Sequence, residues 1–209
     1  MFEDKYITIG GIKTRYWQAG EHGSLVVLIH GITRSVEDWQ TNIADLATRH
    51  RVFALDVLGF GFTDKPANEE YTISRLARFV LDFMTALNIP KAHLIGNSLG
   101  GTLALECAFQ APERVLSLVL ADPAGMDRKG NLFEFRLATV PILGEFLTKP
   151  SLSSTKMIGS KAFFDPSILT DEAIAFSTDL ARLPGAHVAF LKTLRSFSNF
   201  SGFKSAFVA

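Results

Sequence analysis

The chain has 209 residues, 47% of them hydrophobic, which is enough for one compact domain with a buried core. Lys+Arg and Asp+Glu both number 21, so the formal charge is zero; this excludes the strongly basic balance of nucleic-acid-binding domains, and we expect no nucleic-acid partner. One cysteine, Cys107, excludes an intrachain disulfide; together with the lack of a signal-peptide pattern or a membrane-length apolar run, it predicts a cytoplasmic protein with no membrane partner.

Strand and helix patterns alternate through residues 1–124. Strands are predicted over residues 5–9, 12–17, 24–29, 51–55, 92–96 and 115–121. Helices are predicted over residues 35–47, 73–87 and 99–110. Ser35 and Asp38 resemble a capping box at the start of the first helix. Because short strands that alternate with helices imply right-handed crossovers, we predict an α/β fold with a mostly parallel sheet and flanking helices.

The pattern changes to helices alone over residues 125–209. They are predicted over residues 133–147, 154–164, 171–183 and 186–197. We therefore divide the chain into a core of residues 1–124 and a helical cap region of residues 125–209. Six phenylalanines of the cap region either line an apolar or aromatic pocket or, more simply, form the core of the cap itself: Phe133, Phe135, Phe146, Phe163, Phe164 and Phe176.

The strongest functional signal is the segment 96–101, which reads GNSLGG and lies between a predicted strand and a predicted helix. It matches the pattern G-x-S-x-G in the context that the pattern requires. Gly96 and Gly100 leave room for a very sharp turn, which holds the serine at a helix N-terminus where negative charge is favoured. We therefore predict that Ser98 is a nucleophile.

The segment 30–33, which reads HGIT, directly follows the third predicted strand. Acyl transfer needs two N–H donors that face the developing oxyanion, and we predict that the backbone N–H groups of Ile32 and Leu99 supply them. His30 and Gly31 are expected to shape this loop, because the base of such a site normally follows the serine in the chain.

The catalytic acid and base are harder to place. Asp56, in the glycine-rich segment 56–63, is predicted to be a structural hydrogen-bond acceptor. Asp122 follows the last predicted strand and is either the catalytic acid or a turn former before Pro123. No histidine follows His187, which lies in a predicted cap helix, so no base is identified.

Together, the HG loop at residue 30, the DVLGFG loop at residue 56, the GNSLGG elbow and the strand ending ADPAG at residue 125 resemble the α/β-hydrolase superfamily. The resemblance is to its capped branch of serine esterases and carbon–carbon bond hydrolases, and it runs from Tyr6 to Gly125 and more loosely to the end. It implies two further strands after the cap, which carry the acid and the histidine and which this sequence lacks. A serine at the elbow, where haloalkane dehalogenases and epoxide hydrolases carry aspartate, argues against those two chemistries.

The main functional hypothesis is a serine hydrolase that forms an acyl-enzyme on Ser98 from a small apolar or aromatic carboxylic ester. It requires no cofactor and no metal, since the histidines are scattered. Activity is expected to be impaired if the chain ends at residue 209. One alternative is a carbon–carbon bond hydrolase of ring-cleavage products, and another is a catalytically inert relative. The uncharged strand 115–121 would form an exposed sheet edge, which a homodimer could cover.

Overall fold

A computed structural model describes residues 2–125, 139–162 and 165–199. Four of the six phenylalanines of the predicted cap, Phe133, Phe135, Phe163 and Phe164, therefore lie outside the described residues. Residues 133–138 of the predicted helix 133–147 and the residues beyond 199 lie outside them as well.

The centre of the fold is a six-stranded sheet in the order β1-β2-β4-β3-β5-β6. The strands are β1 (Lys5–Ile9), β2 (Ile12–Ala19), β3 (Ser24–Ile29), β4 (His50–Leu55), β5 (Ala92–Asn97) and β6 (Val115–Ala121). β1 and β2 form a hairpin, and β2 pairs antiparallel with β4. The other four strands are parallel to one another, so their carboxyl ends share one edge of the sheet. The predicted α/β architecture is confirmed.

Two long helices cover one face of the sheet. α2 (Ile73–Ala86) begins at Thr72, whose side chain accepts a hydrogen bond from the N–H of Arg75, and it ends before Asn88, which has a left-handed φ of 53°. α3 (Leu99–Gln110) follows β5 directly. Both helices were predicted to within one residue, because the apolar stripe and the glycine signals are local to each segment.

The hydrophobic core lies in two layers. The larger layer packs β3, β4 and β5 against α2 and α3, with Phe79 and Phe83 fully buried at its centre. The Cys107 side chain is also fully buried there and donates a hydrogen bond to the carbonyl of Ala77; burial raises the pKa of its thiol. The smaller layer lies on the opposite face, under Trp17 and Val36.

The predicted helix 35–47 is wrong in its first half. The structure has a 3₁₀ turn at Val36–Trp39 and a short α1 at Ile43–Ala47. Ser35 makes no capping hydrogen bond; its hydroxyl donates instead to Glu37 at 2.5 Å. The N–H of Val36 donates to the buried carboxylate of Asp56 at 2.7 Å. These long-range polar contacts hold the segment in a shape that the helical periodicity does not predict.

The helical region, by which we mean the described residues from 139 to 199, contains α4 (Leu143–Leu147), α5 (Leu152–Ala162), α6 (Asp171–Arg182) and α7 (Ala186–Asn199). Ala189 joins it to the larger core layer, where it packs near Gly59. Phe146 is 79% exposed, so it is not buried in a cap core, contrary to that interpretation of the phenylalanines. Phe176 is 36% exposed.

The sheet ends at β6, whose side chains alternate between partly buried and exposed. Leu118 and Leu120 pack against the larger core layer, whereas Val119 on the opposite face is 51% exposed. Within the described ranges, no helix combines the length and the apolar character needed to cross a membrane.

Candidate active site

Ser98 is the single residue between the end of β5 and the start of α3, where the backbone turns sharply. Its φ of 51° and ψ of −118° are far from the helical and extended regions, and such a conformation costs about 1–3 kcal/mol. Hydrogen bonds at both ends hold it. The Ser98 N–H donates to Ala121 at 2.9 Å, and its carbonyl accepts from Gly101 at 3.0 Å and Thr102 at 3.2 Å. The serine is therefore not part of a regular helix, and its side chain is partly exposed.

The two glycines of the motif are required by backbone contacts. A Cβ on Gly96 would overlap the backbone of Gly100, and a Cβ on Gly100 would overlap the carbonyl oxygen of Ile29 at the end of β3. Because backbone atoms of a central strand cannot move aside cheaply, only glycine fits where α3 passes this close to the sheet.

The loop after β3 lies directly beside the serine. A Cβ placed on Gly31 would be 3.5 Å from the Cβ of Ser98. The loop turns back through Thr33, whose φ is 61°, and the turn is closed by the N–H of Arg34, which donates to the carbonyl of Gly31 at 3.2 Å.

The backbone N–H groups of Leu99 and Ile32, near Ser98, have no hydrogen-bond acceptor among the residues that the structure describes. Leu99 is the first residue of α3, so its N–H has no partner within the helix. Ile32 lies in the loop after β3, and no residue that the structure describes accepts a hydrogen bond from its N–H. This availability is what an oxyanion hole requires.

His30 is committed to holding the loop. Its ring is fully buried, and Nδ1 donates to the carbonyl of Gly31 at 2.7 Å. Nε2 accepts from the N–H of Val57 at 3.0 Å, so the proton is assigned to Nδ1. Since Nε2 carries no proton, its 4.0 Å approach to Asp56 is not an ion pair. With both ring nitrogens engaged, His30 is not available to Ser98 as a base.

Asp56 is a buried acceptor that ties three segments together. Its side chain is fully buried and accepts from the N–H groups of Val36 and Phe62, both at 2.7 Å. It also accepts from Nη1 of Arg15 at 3.3 Å. Burial raises the pKa of Asp56, although these donors favour its carboxylate form. Gly61 is needed here, because a Cβ on it would overlap the Asp56 carboxyl group.

Arg15 is the buried cation at the centre of this network, with a side chain only 4% exposed. Nη2 contacts Asp4 and Glu37, each at 2.6 Å. Burial opposes the charge of Arg15, but the hydrogen bonds to Glu37 and Asp4 outweigh it and raise the pKa of the guanidinium. Burial also tends to raise the pKa of Glu37, but the hydrogen bonds from Arg15 and Ser35 lower it overall.

Asp122 lies close to the elbow through its backbone. It has a left-handed φ of 47° and opens a turn in which the N–H of Ala124 donates to the carbonyl of Ser98 at 3.1 Å. The Asp122 side chain is exposed and forms no hydrogen bond with any described residue. The turn-forming role is thus visible in the structure, while a role as catalytic acid stays a prediction.

None of the five histidines, all of which lie in the described ranges, is hydrogen-bonded to Ser98. The His187 ring contacts the hydroxyl of Thr148 at 2.8 Å, and burial lowers its pKa. Two serine–histidine pairs occur elsewhere. Ser24 pairs with His50 and Ser117 with His93, each at 2.8 Å, towards the amino ends of the parallel strands. Neither pair has a strained serine at a helix N-terminus, so contact with a histidine is not enough to identify a nucleophile.

No group of three or more histidine, cysteine or acidic side chains that could hold a metal is present in the described part of the chain.

Residues 24–152, which include β3, the elbow and β6, match the family described as alpha/beta hydrolase fold. The chain belongs to the α/β-hydrolase superfamily. The strained serine between β5 and α3 lies within the matched residues, and its strand–turn–helix context is the one that the G-x-S-x-G pattern requires.

Similar proteins include enzymes named as hydrolases of 2-hydroxy-6-oxo-dienoic acids. The chain is 33% identical over 199 residues to the 2-hydroxy-6-oxo-6-(2'-aminophenyl)hexa-2,4-dienoic acid hydrolase of Metapseudomonas resinovorans, covering 93% of this chain and 66% of that protein. It is 30% identical over 189 residues to the 2-hydroxy-6-oxo-2,4-heptadienoate hydrolase of Pseudomonas putida, covering 89% and 65%.

The structure also resembles a solved meta-cleavage product hydrolase from Pseudomonas fluorescens. The TM-score is 0.78 at 32% sequence identity, with 92% of this chain and 71% of the other covered. The chain spans between 32% and 66% of the length of the curated relatives with which it aligns.

Sequence reasoning missed two arginines. Arg15 occurs in an ordinary β-hairpin sequence, and the acidic residues that contact its guanidinium lie up to 41 residues away in the chain. Arg34 follows the predicted oxyanion loop and contacts Ser177 of α6, 143 residues away. The alternation in β2, which puts Arg15 on the same face as buried Trp17, is the one local sign that this arginine is internal.

Proposed function

We propose that this chain carries the nucleophile of a carbon–carbon bond hydrolase that acts on 2-hydroxy-6-oxo-dienoic acids, the products of aromatic ring cleavage. The observation that carries the proposal is Ser98, held in a strained turn near two backbone N–H groups that have no acceptor among the described residues. The elbow serves ester and carbon–carbon cleavage equally well. The names of the similar proteins favour the second chemistry, which was the alternative in the sequence interpretation.

The proposed reaction begins at the ketone on carbon 6 of the substrate. The Ser98 oxygen adds to this carbon and loses its proton to water or to an added base, and the oxyanion accepts hydrogen bonds from Ile32 and Leu99. Before cleavage the substrate converts to its 2-oxo form: the 2-hydroxyl loses a proton and carbon 5 gains one. When the carbonyl on carbon 6 re-forms, the bond between carbons 5 and 6 breaks, its electron pair is delocalised onto the oxygen of carbon 2, and that oxygen takes a proton. Water then hydrolyses the acyl group from Ser98 and releases a carboxylic acid.

The reaction needs a proton acceptor beside Ser98, and in the 209-residue chain none of the five histidines contacts this serine. A serine without an adjacent base is a poor nucleophile, and removing the histidine of a triad costs on the order of a million-fold in turnover. Imidazole added to the solution can act as a general base at an accessible serine, which makes the proposal testable in this chain.

The test is the rate of cleavage of a 2-hydroxy-6-oxo-dienoate by the 209-residue chain, with and without added imidazole. We expect slow cleavage that rises with imidazole concentration, and an acyl adduct on Ser98 in the intact mass. Ser98→Ala should lose both the adduct and the imidazole-dependent rate. Ser117→Ala, which removes an exposed serine that contacts His93, is the matched control and should keep both.

The outcomes separate the candidates. Acylation by nitrophenyl esters without cleavage of the dienoate would support the ester hydrolase instead. No adduct from either substrate, and no labelling of Ser98 by a fluorophosphonate in the presence of imidazole, would support the inert relative. Equal rates in Ser98→Ala and wild type would remove Ser98 from the mechanism altogether.

A further inference from the structure

Two histidines that are scattered in the sequence lie side by side at the amino ends of the parallel strands. Ser24 on β3 pairs with His50 on β4, and Val26, two residues later, pairs with His93 on β5. Because paired residues face the same way and side chains alternate along a strand, both rings lie on one face of the sheet. This is the face of the smaller core layer, to which Val26 belongs. The ring centroids are 6.3 Å apart, with an angle of 66° between the ring planes.

Each of the two rings is oriented by a serine hydroxyl. Nδ1 of His50 contacts Oγ of Ser24, and Nδ1 of His93 contacts Oγ of Ser117, both at 2.8 Å. When Nδ1 donates such a bond, the lone pair of the neutral imidazole lies on Nε2. No described residue forms a hydrogen bond with Nε2 of either ring. One nitrogen that is hydrogen-bonded and one that is free is the arrangement found in histidines that bind metal ions.

A hydrated ion can reach these rings from solvent. Both rings are only partly buried, and His50 lines an open hollow of about 430 Å³ beside α1, where Asp45 and Arg49 contribute charges of opposite sign. Arg51 follows His50 on β4, so its side chain lies on the other face of the sheet. Its guanidinium is there 6.0 Å from the ring centroid of Phe53, and it does not oppose a cation at the histidines.

The spacing of the rings suits one shared ion. At a tetrahedral zinc ion each Zn–N bond is about 2.1 Å long and the ring centroid lies about 1.1 Å behind the nitrogen, so two bound rings have centroids about 5 Å apart. The observed separation of 6.3 Å is larger by only about 1 Å. Rotation of two partly exposed side chains about their torsion angles is enough to close this difference.

We propose that His50 and His93 form a binding site for a divalent transition-metal ion of the zinc class, with water completing the coordination. Imidazole is a preferred ligand of zinc, nickel and copper, whereas Mg²⁺ prefers oxygen ligands. With two protein ligands the site is weaker than the sites of three or four ligands that hold resident zinc ions.

The proposed metal site is separate from the elbow and does not depend on the proposed reaction. Ser98 comes five residues after His93, which places it about 15 Å away at the other end of β5. An ion held by both histidines joins β4 to β5 across β3. It therefore acts on the stability of the sheet and takes no part in the chemistry proposed for Ser98.

The test is zinc binding by the 209-residue chain, measured by equilibrium dialysis, with Mg²⁺ as the control ion. We expect one zinc ion per chain at the tightest site, no bound Mg²⁺, and a higher thermal unfolding midpoint in zinc, since the two rings meet only in the folded state. His50→Gln and His93→Gln should each weaken zinc binding at least tenfold and remove the rise in the midpoint, because each takes away one of two ligands.

The matched control is His187→Gln. His187 on α7 is also a partly buried histidine bonded to a hydroxyl, that of Thr148 at 2.8 Å, but no second histidine ring packs against it within the described ranges. This variant should keep the zinc affinity of wild type. The midpoint in metal-free buffer shows whether each variant is folded. Protection of both His50 and His93 from diethyl pyrocarbonate by zinc, measured in wild type, needs no variant at all.

Unchanged zinc affinity in either His50→Gln or His93→Gln would overturn the proposal, because a shared ion needs both rings. An equal loss in His187→Gln, equal binding of Mg²⁺ and Zn²⁺, or the absence of protection in wild type would overturn it as well. A mass that doubles only when zinc is present would show that the ion bridges two chains, and the proposed site within one chain would then be wrong.

Discussion

At the scale of single residues, the site depends on backbone geometry more than on reactive groups. Ser98 is forced into a strained conformation by the close passage of α3 over the end of β3, and Gly100 is what makes that passage possible. A methyl group there would overlap the carbonyl oxygen of Ile29, which belongs to a central strand paired on both sides. The position of Ser98 is thus set by a contact between two backbones.

Gly100→Ala tests this contact. We expect it to lower the free energy of unfolding by about 3 kcal/mol, since overpacking against a backbone that cannot relax is at the upper end of such costs. Gly10→Ala is the control. Gly10 has a φ of 55° but nothing within 4 Å of the added methyl group, so only the left-handed conformation is penalised, at about 1 kcal/mol. Chemical denaturation measures both, and equal losses would contradict the steric explanation.

At the scale of elements, one buried arginine joins the hairpin to the loops around the site. Arg15 on β2 contacts Glu37 in the 3₁₀ turn and Asp56 after β4. Asp56 in turn binds the N–H groups of Val36 and Phe62. The loop after β3 lies between His30, which binds the N–H of Val57, and Val36, which binds Asp56, so contacts to the segment after β4 hold both of its ends. Of the three carboxylates that contact Arg15, that of Asp56 is fully buried, and loss of Arg15 would leave it without its cation.

Arg15→Met is therefore expected to destabilise the fold by about 3–5 kcal/mol, because it leaves the Asp56 and Glu37 carboxylates buried without their cation. Arg51→Met is the matched control: it also removes an arginine from a strand, but one whose guanidinium lies only 6.0 Å over the ring of Phe53. We expect less than about 1 kcal/mol there. Equilibrium unfolding in urea measures the difference, and similar losses in both variants would show that the network adds nothing to stability.

At the scale of the whole molecule, the two outer strands of the sheet differ in charge. β1 at one margin carries Lys5, which is hydrogen-bonded to Gln18. β6 at the other margin carries no charge between Val115 and Ala121 and exposes Leu116 and Val119, at 45% and 51%. An apolar edge of this kind can pair with another chain.

We propose that β6 pairs with β6 of a second copy, and expect concentration-dependent self-association of the 209-residue chain. Val119→Lys should shift the population to monomers, because a buried lysine opposes pairing at the edge. Val188→Lys on α7 is the control, since that valine is exposed to a similar extent, 44%, on a different surface. Light scattering over a range of concentrations reads the mass. A wild-type monomer at every concentration would contradict the proposal.

Much of this architecture could be predicted because its signals are local. The apolar stripe of α2, the continuous apolar run of β3 and the GNSLGG elbow each specify their own backbone within about a dozen residues. The sequence by itself determined the succession of strands and helices along the chain, the mostly parallel sheet and the turn at Ser98.

Tertiary structure alone decided the rest, because the deciding contacts join residues far apart in the chain. The helical pattern of residues 35–47 gives way where Val36 bonds to Asp56, 20 residues later. Arg15 donates a hydrogen bond to Asp56, 41 residues later in the chain. Arg34 donates a hydrogen bond to Ser177, 143 residues later. Hydrophobic periodicity reports which face of a segment is buried, but it does not report which distant polar groups will meet there.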